Sequence, residues 1–257
     1  MRFMMLLALV LLDSPPNPQE IVQRSVEVNQ VYWKEAEKYS FTERDVKSKD
    51  DSVETVRTYD VLMIQGSTYD KLIAENDMPL SSERHVAEIR RFEQELYRRQ
   101  HETEVARDQR IAKYSKERDQ DHDLLREMAD ALDYTVAGEE NLDGHDVWVL
   151  NAASKPGYKS KNREAKILTG MVGKLWIDKV TYQWLKVEAQ VIKPVSFLGF
   201  IAKVGPGTSF VLDQEAVGDK LLPKHFSMKV KTTILGIIHR NYEQDETYSN
   251  YRITTSP

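Results

Sequence analysis

Two series of strand-like segments, separated by a long helical segment, constrain the fold of this chain more than any other feature. From Tyr39 onward, apolar and polar residues alternate with a period of two, as in strands that bury one face. The segment from Ser81 to about Leu132 contains neither glycine nor proline and is rich in Glu, Arg, Gln and Ala, which predicts helix. The period of two then returns and continues to Ile253. We therefore expect a sheet whose chain is interrupted by helices.

Turn signals join neighbouring strands of this pattern. Asp50-Asp51, Gly66-Ser67 and Asn141–Gly144 lie between alternating segments and predict antiparallel hairpins. Because a sheet of about ten or eleven strands tends to curl, we expect a curved antiparallel sheet that forms a half-open β-barrel. The predicted class is α+β, with an N-terminal helix from Pro18 to about Lys38 and an inserted helical plug or hairpin over about residues 80–133.

The middle of the helical insertion is almost entirely polar. Large apolar residues are concentrated near its two ends, whereas Arg98–Gln120 is dominated by charged side chains. One interpretation is a hairpin of two helices whose ends pack on the sheet while the tip stands in water. The other is a single projecting helix. We favour the hairpin, because ~50 residues in one helix would extend ~75 Å.

The first residues have the composition of an export signal. Arg2 precedes the apolar run Met4–Leu12, and a polar segment interrupted by prolines follows. This run is shorter than the ~20 residues that span a bilayer, so we interpret residues 1–17 as a signal peptide. Residues 18–257 are then one domain, and the expected location is the periplasm. The chain contains no cysteine, which excludes disulfides, Cys-ligated metal sites and lipid attachment through a cysteine.

Catalytic and nucleotide-binding motifs are absent from the sequence. It contains no G-x-S-x-G, H-E-x-x-H or phosphate-binding glycine loop. Asp121-His122-Asp123 carries three possible metal ligands, but adjacent residues on a helix point in different directions. His225 and His239 are expected to pair across strands. With a net charge of -5, the composition does not favour nucleic acid. We expect a protein that is not an enzyme and binds no cofactor, metal ion or nucleic acid.

Two loops are candidates for contacts outside the sheet. Lys155–Arg163 is a basic cluster in an acidic chain. It is either a solvated loop or a contact for anionic lipid headgroups or an acidic partner. The apolar run Val195–Ile201 is either a core strand or a mobile loop at the mouth of a cavity. Peripheral contact with a membrane therefore remains open.

The second half of the chain resembles a known family. Gly173–Asp178, Thr181-Tyr182 and Leu185–Glu188 resemble the central hairpin of Lol-type periplasmic lipoprotein carriers and outer-membrane lipoprotein-sorting proteins. Further similar segments are Tyr69–Asn76, Lys193-Pro194-Val195, Gly207-Thr208, Leu222-Pro223 and Tyr248–Arg252. The resemblance covers residues 18–253 loosely and residues 173–253 best. It implies a half-open barrel closed by helices, a hydrophobic cavity that receives acyl chains and a periplasmic location.

The expected function is non-enzymatic binding of lipid or lipoprotein acyl chains, as a carrier or a sensor. The alternation along this strand places Leu185, Val187 and Val191 on the face that points inward, and Trp184 on the opposite face. The residues expected to bind the ligand are Phe41, Leu62, Ile64, Tyr69, Leu175, Ile177, Leu185, Val187, Val191, Phe197 and Phe200. The alternative is an interaction module with a solid barrel, whose charged helical arm docks an envelope protein. A hydrolase with an unrecognised site is a third possibility.

Overall fold

The computed structural model describes residues 17–160, 163–197 and 202–254. The predicted signal peptide up to residue 16, and Phe200 within the apolar run, lie outside the described residues. The helices are α1 (Pro18–Ala36), α2 (Ser82–Gln100), α3 (Glu104–Ala131) and a short 3-10 helix (Glu164–Gly170). The strands are β1 (Tyr39–Lys49), β2 (Ser52–Ile64), β3 (Ser67–Glu75), β4 (Met78–Pro79), β5 (Leu132–Leu142), β6 (His145–Ser154), β7 (Met171–Asp178), β8 (Trp184–Val191), β9 (Val195–Ser196), β10 (Ala202–Val204), β11 (Ser209–Val217), β12 (Lys220–Ile234) and β13 (Ile238–Ile253).

All the described strands belong to one antiparallel sheet that has two free edges. The strand order is β4-β3-β2-β1-β13-β12-β11-β8-β7-β6-β5, and β10 pairs with β12 and with β9. The N-terminal meander is thus joined to the C-terminal one through the pairing of β1 with β13. The predicted half-open barrel is confirmed. The described residues form 13 strands rather than ten or eleven, and three of these, β4, β9 and β10, have only two or three residues.

The hairpin turns form where the sequence predicts them. Asp50 and Asp51 have φ angles of 47° and 64°, a left-handed conformation that suits a tight two-residue turn. Gly66, in the β2–β3 turn, has φ +88°. A Cβ atom at this position would lie 2.9 Å from Cδ1 of Ile111 in α3, so both the backbone angle and the close helix require glycine.

One face of β5–β8 is covered by α1 and the C-terminal part of α3. Ile21 and Val22 of α1 are buried in the same cluster as Met128 of α3 and the sheet residues. The indole Nε1 of Trp184 donates to Ser25 Oγ at 2.9 Å. The predicted N-terminal helix and its role in packing against the sheet are confirmed, and this half of the interior is a filled apolar core.

The helical insertion consists of two helices that reverse direction at residues 101–103, which confirms the hairpin interpretation. The guanidinium Nη2 of Arg84, in the first turn of α2, donates to Glu75 Oε1 at the end of β3 at 2.8 Å. Near the end of α3, Gln19 Nε2 of α1 donates to Ala129 O at 2.5 Å. No helix among the described residues is both long and apolar enough to cross a bilayer.

The tip of the insertion is exposed to solvent, as the sequence predicts, but it is also anchored to the sheet. The guanidinium of Arg99 is buried and donates to the carbonyl oxygens of Ile64, Ser67 and Thr68 at 2.7, 2.9 and 2.9 Å. Arg110 at the start of α3 donates to Ser67 Oγ at 2.7 Å. The sequence did not indicate this anchoring, in which long polar side chains bond to backbone carbonyls at a turn that has no strand partner.

Helix α2 also covers the free edge of β3. Glu88 Oε1 accepts hydrogen bonds from Tyr69 Oη at 3.2 Å and from the Leu72 backbone N–H at 3.3 Å. The part of this strand edge that β4 leaves unpaired therefore bonds to two side chains of one helix, Glu88 and Arg99. An edge protected in this way is not available for pairing with another chain.

We expect Arg99→Met to lower the free energy of unfolding by about 2–3 kcal/mol, because three buried carbonyl groups lose a charged donor. The matched control is Arg98→Met. Arg98 is the preceding residue, is exposed, and pairs with Glu95 on the helix surface, so its loss is expected to cost less than about 0.5 kcal/mol. Chemical denaturation of both variants measures the difference. Equal losses would contradict the anchoring role of Arg99.

Candidate functional site

The inner face of the sheet continues beyond the filled core onto β11, β12, β13 and β1. Partners in a ladder lie on the same face, and Val187 of the core pairs with Leu212, which pairs with Phe226. Phe226 pairs in turn with Glu246, and Glu246 with Asp45. We call this second half of the inner face the trough. Its residues are Phe41, Glu43, Asp45, Phe210, Leu212, Phe226, Met228, Glu246, Tyr248 and Tyr251. All except the buried Asp45 are half-buried.

Aromatic side chains form one end of the trough. The ring of Phe41 lies 5.7 Å from that of Tyr248 and 5.5 Å from that of Tyr251, measured between centroids. The hydroxyl of Tyr251 donates to the backbone oxygen of Pro223 at 2.5 Å. This bond fixes the ring within the aromatic cluster, whose half-buried side chains are suited to packing against an apolar group.

Three carboxyl groups lie along the floor of the trough. Asp45 forms an ion pair with Lys47, with 2.8 Å between Oδ2 and Nζ. Glu246 accepts a hydrogen bond from the hydroxyl of Tyr248. Glu43 has neither a hydrogen bond nor an ion pair within the described residues. It is therefore the carboxyl group whose charge is least compensated.

The pKa of Glu43 is raised to about 7, first by burial and then by the negative charges of Glu246, Asp70 and Asp45. Burial also raises the pKa of Glu246, although its hydrogen bond with Tyr248 acts in the opposite direction. Both side chains nevertheless keep some contact with solvent. Partial removal from water is therefore the main cause of both raised pKa values.

Helix α3 lies on the inner-face side of β3, beside the trough. Asp70 pairs with Val61 and so shares the face of Phe41. Burial raises the pKa of Asp70, while the guanidinium of Arg118 on α3 counteracts this rise. Arg118 also counteracts the raised pKa of Glu37, just after α1. The charged middle of α3 thus faces the acidic side of the trough.

Four of the predicted ligand-binding residues lie in the filled core rather than in the trough. Leu175, Ile177, Val187 and Val191 have side chains that are 0–1% exposed. The cavity beside them is about 10 Å³, about the size needed for a single water molecule. As ligand contacts these residues stay a prediction, since the core would have to open before a ligand could reach them.

Three predicted residues lie on the opposite face of the sheet from Phe41. Phe41 pairs with Val61, whereas Leu62 pairs with Tyr69, and Ile64 points to the same side as Leu62. Tyr69 is buried beneath α2. The four residues therefore cannot line a single cavity. The sequence showed that residues alternate between the two faces within each strand. It did not show which residues of β2 and β3 share a face with Phe41 of β1, because that depends on how the strands align.

Leu185 also faces away from the core, because β8 contains a bulge. Trp176 pairs with Lys186 and Ile177 with Trp184, so Leu185 is the extra residue. It packs with Trp176 in a small cluster on the outer face, while Trp184 enters the main core. The predicted alternation is therefore wrong at both Trp184 and Leu185, since one inserted residue reverses the faces on either side of it.

The apolar run Val195–Ile201 begins with a short strand, and its last residues, 198–201, lie outside the described residues. Val195 is buried in β9, and the backbone N–H of the half-buried Phe197 donates to Ala202 O at 2.9 Å.

The trough residues Phe226 and Met228 were missed by the sequence analysis. Their signal is the alternation of apolar residues with basic or small polar residues along β12.

A shallow groove of about 390 Å³ lies between β7, β8 and β11, mostly on the outer face. Lys174, Glu188 and Gln190 contribute to its lining. It is larger than the cavity in the core, but it is wide open to solvent, and charged side chains line it together with apolar ones, so it would enclose a ligand poorly.

The charged groups of the described residues do not form a metal centre, because no three His, Asp or Glu side chains there are placed to hold an ion. His225 lies between two strands, with Nε2 2.9 Å from Asp245 Oδ2 and Nδ1 3.4 Å from Asp213 Oδ2. Burial lowers its pKa, but the two carboxylates outweigh this effect and the pKa is raised. The predicted cross-strand pairing of His225 is confirmed.

Comparison with known proteins gives only structural likenesses. No protein-family model matches the chain, and no curated protein matches it. A LolA superfamily protein from Nitrosomonas europaea is 10% identical with a TM-score of 0.35, and the match covers 95% of this chain and 96% of that one. An outer-membrane lipoprotein-sorting protein domain from Vibrio parahaemolyticus is 12% identical with a TM-score of 0.37, covering 92% and 94%.

A third similar structure is a chain of the MucA/MucB complex from Pseudomonas aeruginosa, which is 9% identical with a TM-score of 0.26, covering 91% of this chain and 100% of that one. The first two structures come from the group of proteins that the hairpin residues of this sequence resemble. At these identities and TM-scores the likenesses carry no functional argument, so the function is argued from the side chains of the trough.

We expect the trough to make stability depend on pH through Glu43. Its pKa is higher in the folded state (about 7) than the ordinary 4.5. The neutral form therefore stabilises the fold below about pH 4.5, and this contribution is lost as the pH rises through about 7. Between about pH 5 and pH 8, the wild type is expected to lose about 1–2 kcal/mol more of its free energy of unfolding than Glu43→Gln loses. This value is discounted because the group keeps solvent contact.

The measurement is denaturant unfolding of the wild type and the variant at both pH values. Glu54→Gln, at an exposed position of β2, is the matched control and is expected to follow the wild type. A wild-type-like pH profile for Glu43→Gln would contradict the assignment.

Proposed function

We propose that the protein binds an acyl chain, or a similarly elongated apolar group, in the trough and catalyses no reaction on it. The observation that supports this is the incomplete filling of the inner face. Under α1 the sheet residues are fully buried, whereas Phe226 and Met228 and the aromatic residues around Phe41 remain half-buried. Covering such a surface with a ligand is favourable by about 25 cal/mol per Å² of apolar area.

The carboxyl groups of the trough restrict the chemistry of the ligand. Glu43 and Glu246 lie beside the apolar floor, and an anionic headgroup near them would be repelled. A neutral acyl group, attached through an amide or an ester as on a lipoprotein, avoids this repulsion. We therefore favour lipid or lipoprotein acyl chains over free fatty acids at neutral pH.

The proposed location is the periplasm, and the proposed role is that of a carrier or a sensor of acyl chains. The location is supported by the signal-like residues 1–17 and is consistent with a chain that has no cysteine. An open trough on one side of a firmly packed core would allow a ligand to enter without unfolding the domain. Fractionation of cells that express the full chain tests the location.

A second candidate function is an interaction module that docks an envelope protein through the helical insertion. It is favoured by exposed apolar side chains on the two helices, namely Val86, Tyr97 and Val105. Because the tip is anchored to the β2–β3 turn through Arg99 and Arg110, a partner would bind the outer side of the helices rather than a free arm.

We expect Met228→Gln to weaken binding of a fluorescent neutral acyl ester by about five- to tenfold, because it replaces apolar floor with a polar amide. Lys229→Gln introduces the same residue at the next position of β12, on the opposite face, and is expected to leave the affinity unchanged. Titration of the probe into each purified protein measures the difference. Equal affinity in the three proteins would show that the trough is not the binding site.

Native and denaturing mass spectrometry of the protein purified from a bacterial envelope supplies the natural ligand. An acyl adduct that disappears on denaturation is the expected result. An unliganded protein that also fails to bind the probe would favour the interaction module. In that case, Tyr97→Ala with Val105→Ser is expected to reduce capture of a partner protein.

A further inference from the structure

The turn between β12 and β13 presents aliphatic side chains to solvent at one end of the sheet. Leu235 is 57% exposed, Ile237 78% and Ile238 41%. They are nearly consecutive and occupy the end of a hairpin, which is a convex surface. The turn therefore offers no groove that another helix or strand could fill, and its apolar groups point outward together. We call residues 235–238 the apolar tip.

The part of the hairpin near the apolar tip is basic although the chain is acidic. Residues 229–242 contain Lys229, Lys231 and Arg240 and no Asp or Glu, whereas the whole chain has a net charge of -5. On the neighbouring strand β10, the exposed Lys203 pairs with Thr233, just below the tip. Asp50 of the adjacent β1–β2 turn lies 3.3 Å from Arg240 and is compensated by it.

The basic loop that begins at Lys155 lies at the same end of the sheet. β6 ends at Ser154, and its partner β7 begins opposite the end of β8, near Val191. The start of β11 is also at this end, where Ser209 pairs with Gln190 on one side and with Lys229 on the other. The exposed Lys155 and Lys159 therefore lie at the same end of the strands as the tip, four strands away from β12.

Part of the backbone of the apolar tip is already hydrogen-bonded. Ile234 pairs with Ile238 at the end of the ladder, and the Ile237 N–H donates to Ile234 O at 3.2 Å. Thr233 Oγ1 and His239 Nδ1 also lie within hydrogen-bond distance, at 3.2 Å. A hairpin end that is paired up to Ile234 and Ile238 leaves few backbone groups to be satisfied at the level of the lipid headgroups.

We propose that the apolar tip docks the protein on an anionic lipid surface. Leu235, Ile237 and Ile238 insert among the acyl chains near the headgroups, while Lys203 and the other cations behind the tip contact anionic headgroups. This proposal concerns a surface separate from the trough and does not depend on ligand binding there. It assigns a role in membrane association to a turn that the filled core does not need.

A single fluorescent label at the tip tests the proposal directly, because the chain has no cysteine. Ile237→Cys in the full chain is labelled with an environment-sensitive fluorophore and mixed with vesicles of phosphatidylcholine, with or without phosphatidylglycerol. The matched control is Val180→Cys. Val180 is 83% exposed and follows the end of β7, at the opposite end of the sheet.

The expected result is a several-fold rise in emission with a blue shift for the label at residue 237, only with anionic vesicles and reduced by high salt. The label at residue 180 is expected to show no change. In the unlabelled chain, Leu235→Ser with Ile237→Ser is expected to weaken vesicle binding by about tenfold or more, whereas Val180→Ser is not.

Three outcomes would overturn the proposal. The first is no response at residue 237, and the second is an equal response at residues 237 and 180, which would indicate binding through another part of the chain. The third is a rise in emission with protein concentration in the absence of vesicles, lost in the double serine variant. That result would show that a second copy of the chain covers the tip.

Discussion

The antiparallel pairing of β1 with β13 is the interaction on which the rest of the structure depends. It runs from Tyr39 opposite Ile253 to Lys49 opposite Tyr242 and joins the N-terminal meander to the C-terminal one. Without it, β1–β4 would be a small separate sheet. The pairing also places the carboxyl groups of Glu43 and Asp45 beside those on β13. Both the width of the sheet and the acidic character of the trough follow from this one ladder.

The two halves of the inner face differ because the helices that cover them differ. Helix α1 and the end of α3 present apolar side chains such as Ile21 and Met128, and these complete a close-packed core with β5–β8. The middle of α3 is charged and cannot fill an apolar floor without burying unpaired groups. The floor around Phe226 consequently keeps contact with solvent. A filled core and an open trough on one continuous face are thus a direct result of the residue pattern of α3.

Much of this fold could be predicted from the sequence, because alternation, turn residues and the absence of glycine and proline are local signals. The strands, the hairpins, α1 and the helical hairpin follow from them. The candidate site could not be predicted equally well. The bulge at Leu185 and the relative phase of Phe41 and Leu62 depend on how strands align, which is not a local property. Arg99 was placed in water because its polarity was visible in the sequence and its carbonyl partners were not.

The helical insertion leaves the sheet at one edge, after β4, and returns to it at the other edge, as β5. A helix resists stretching, so the span between the two edges is governed by a rigid element as well as by the curvature of the strands. Helix α3 alone has 28 residues, which corresponds to roughly 42 Å. Adding or removing one helical turn would change this span by about 5.4 Å. The length of the insertion therefore limits how far the two edges of the half-barrel can move apart.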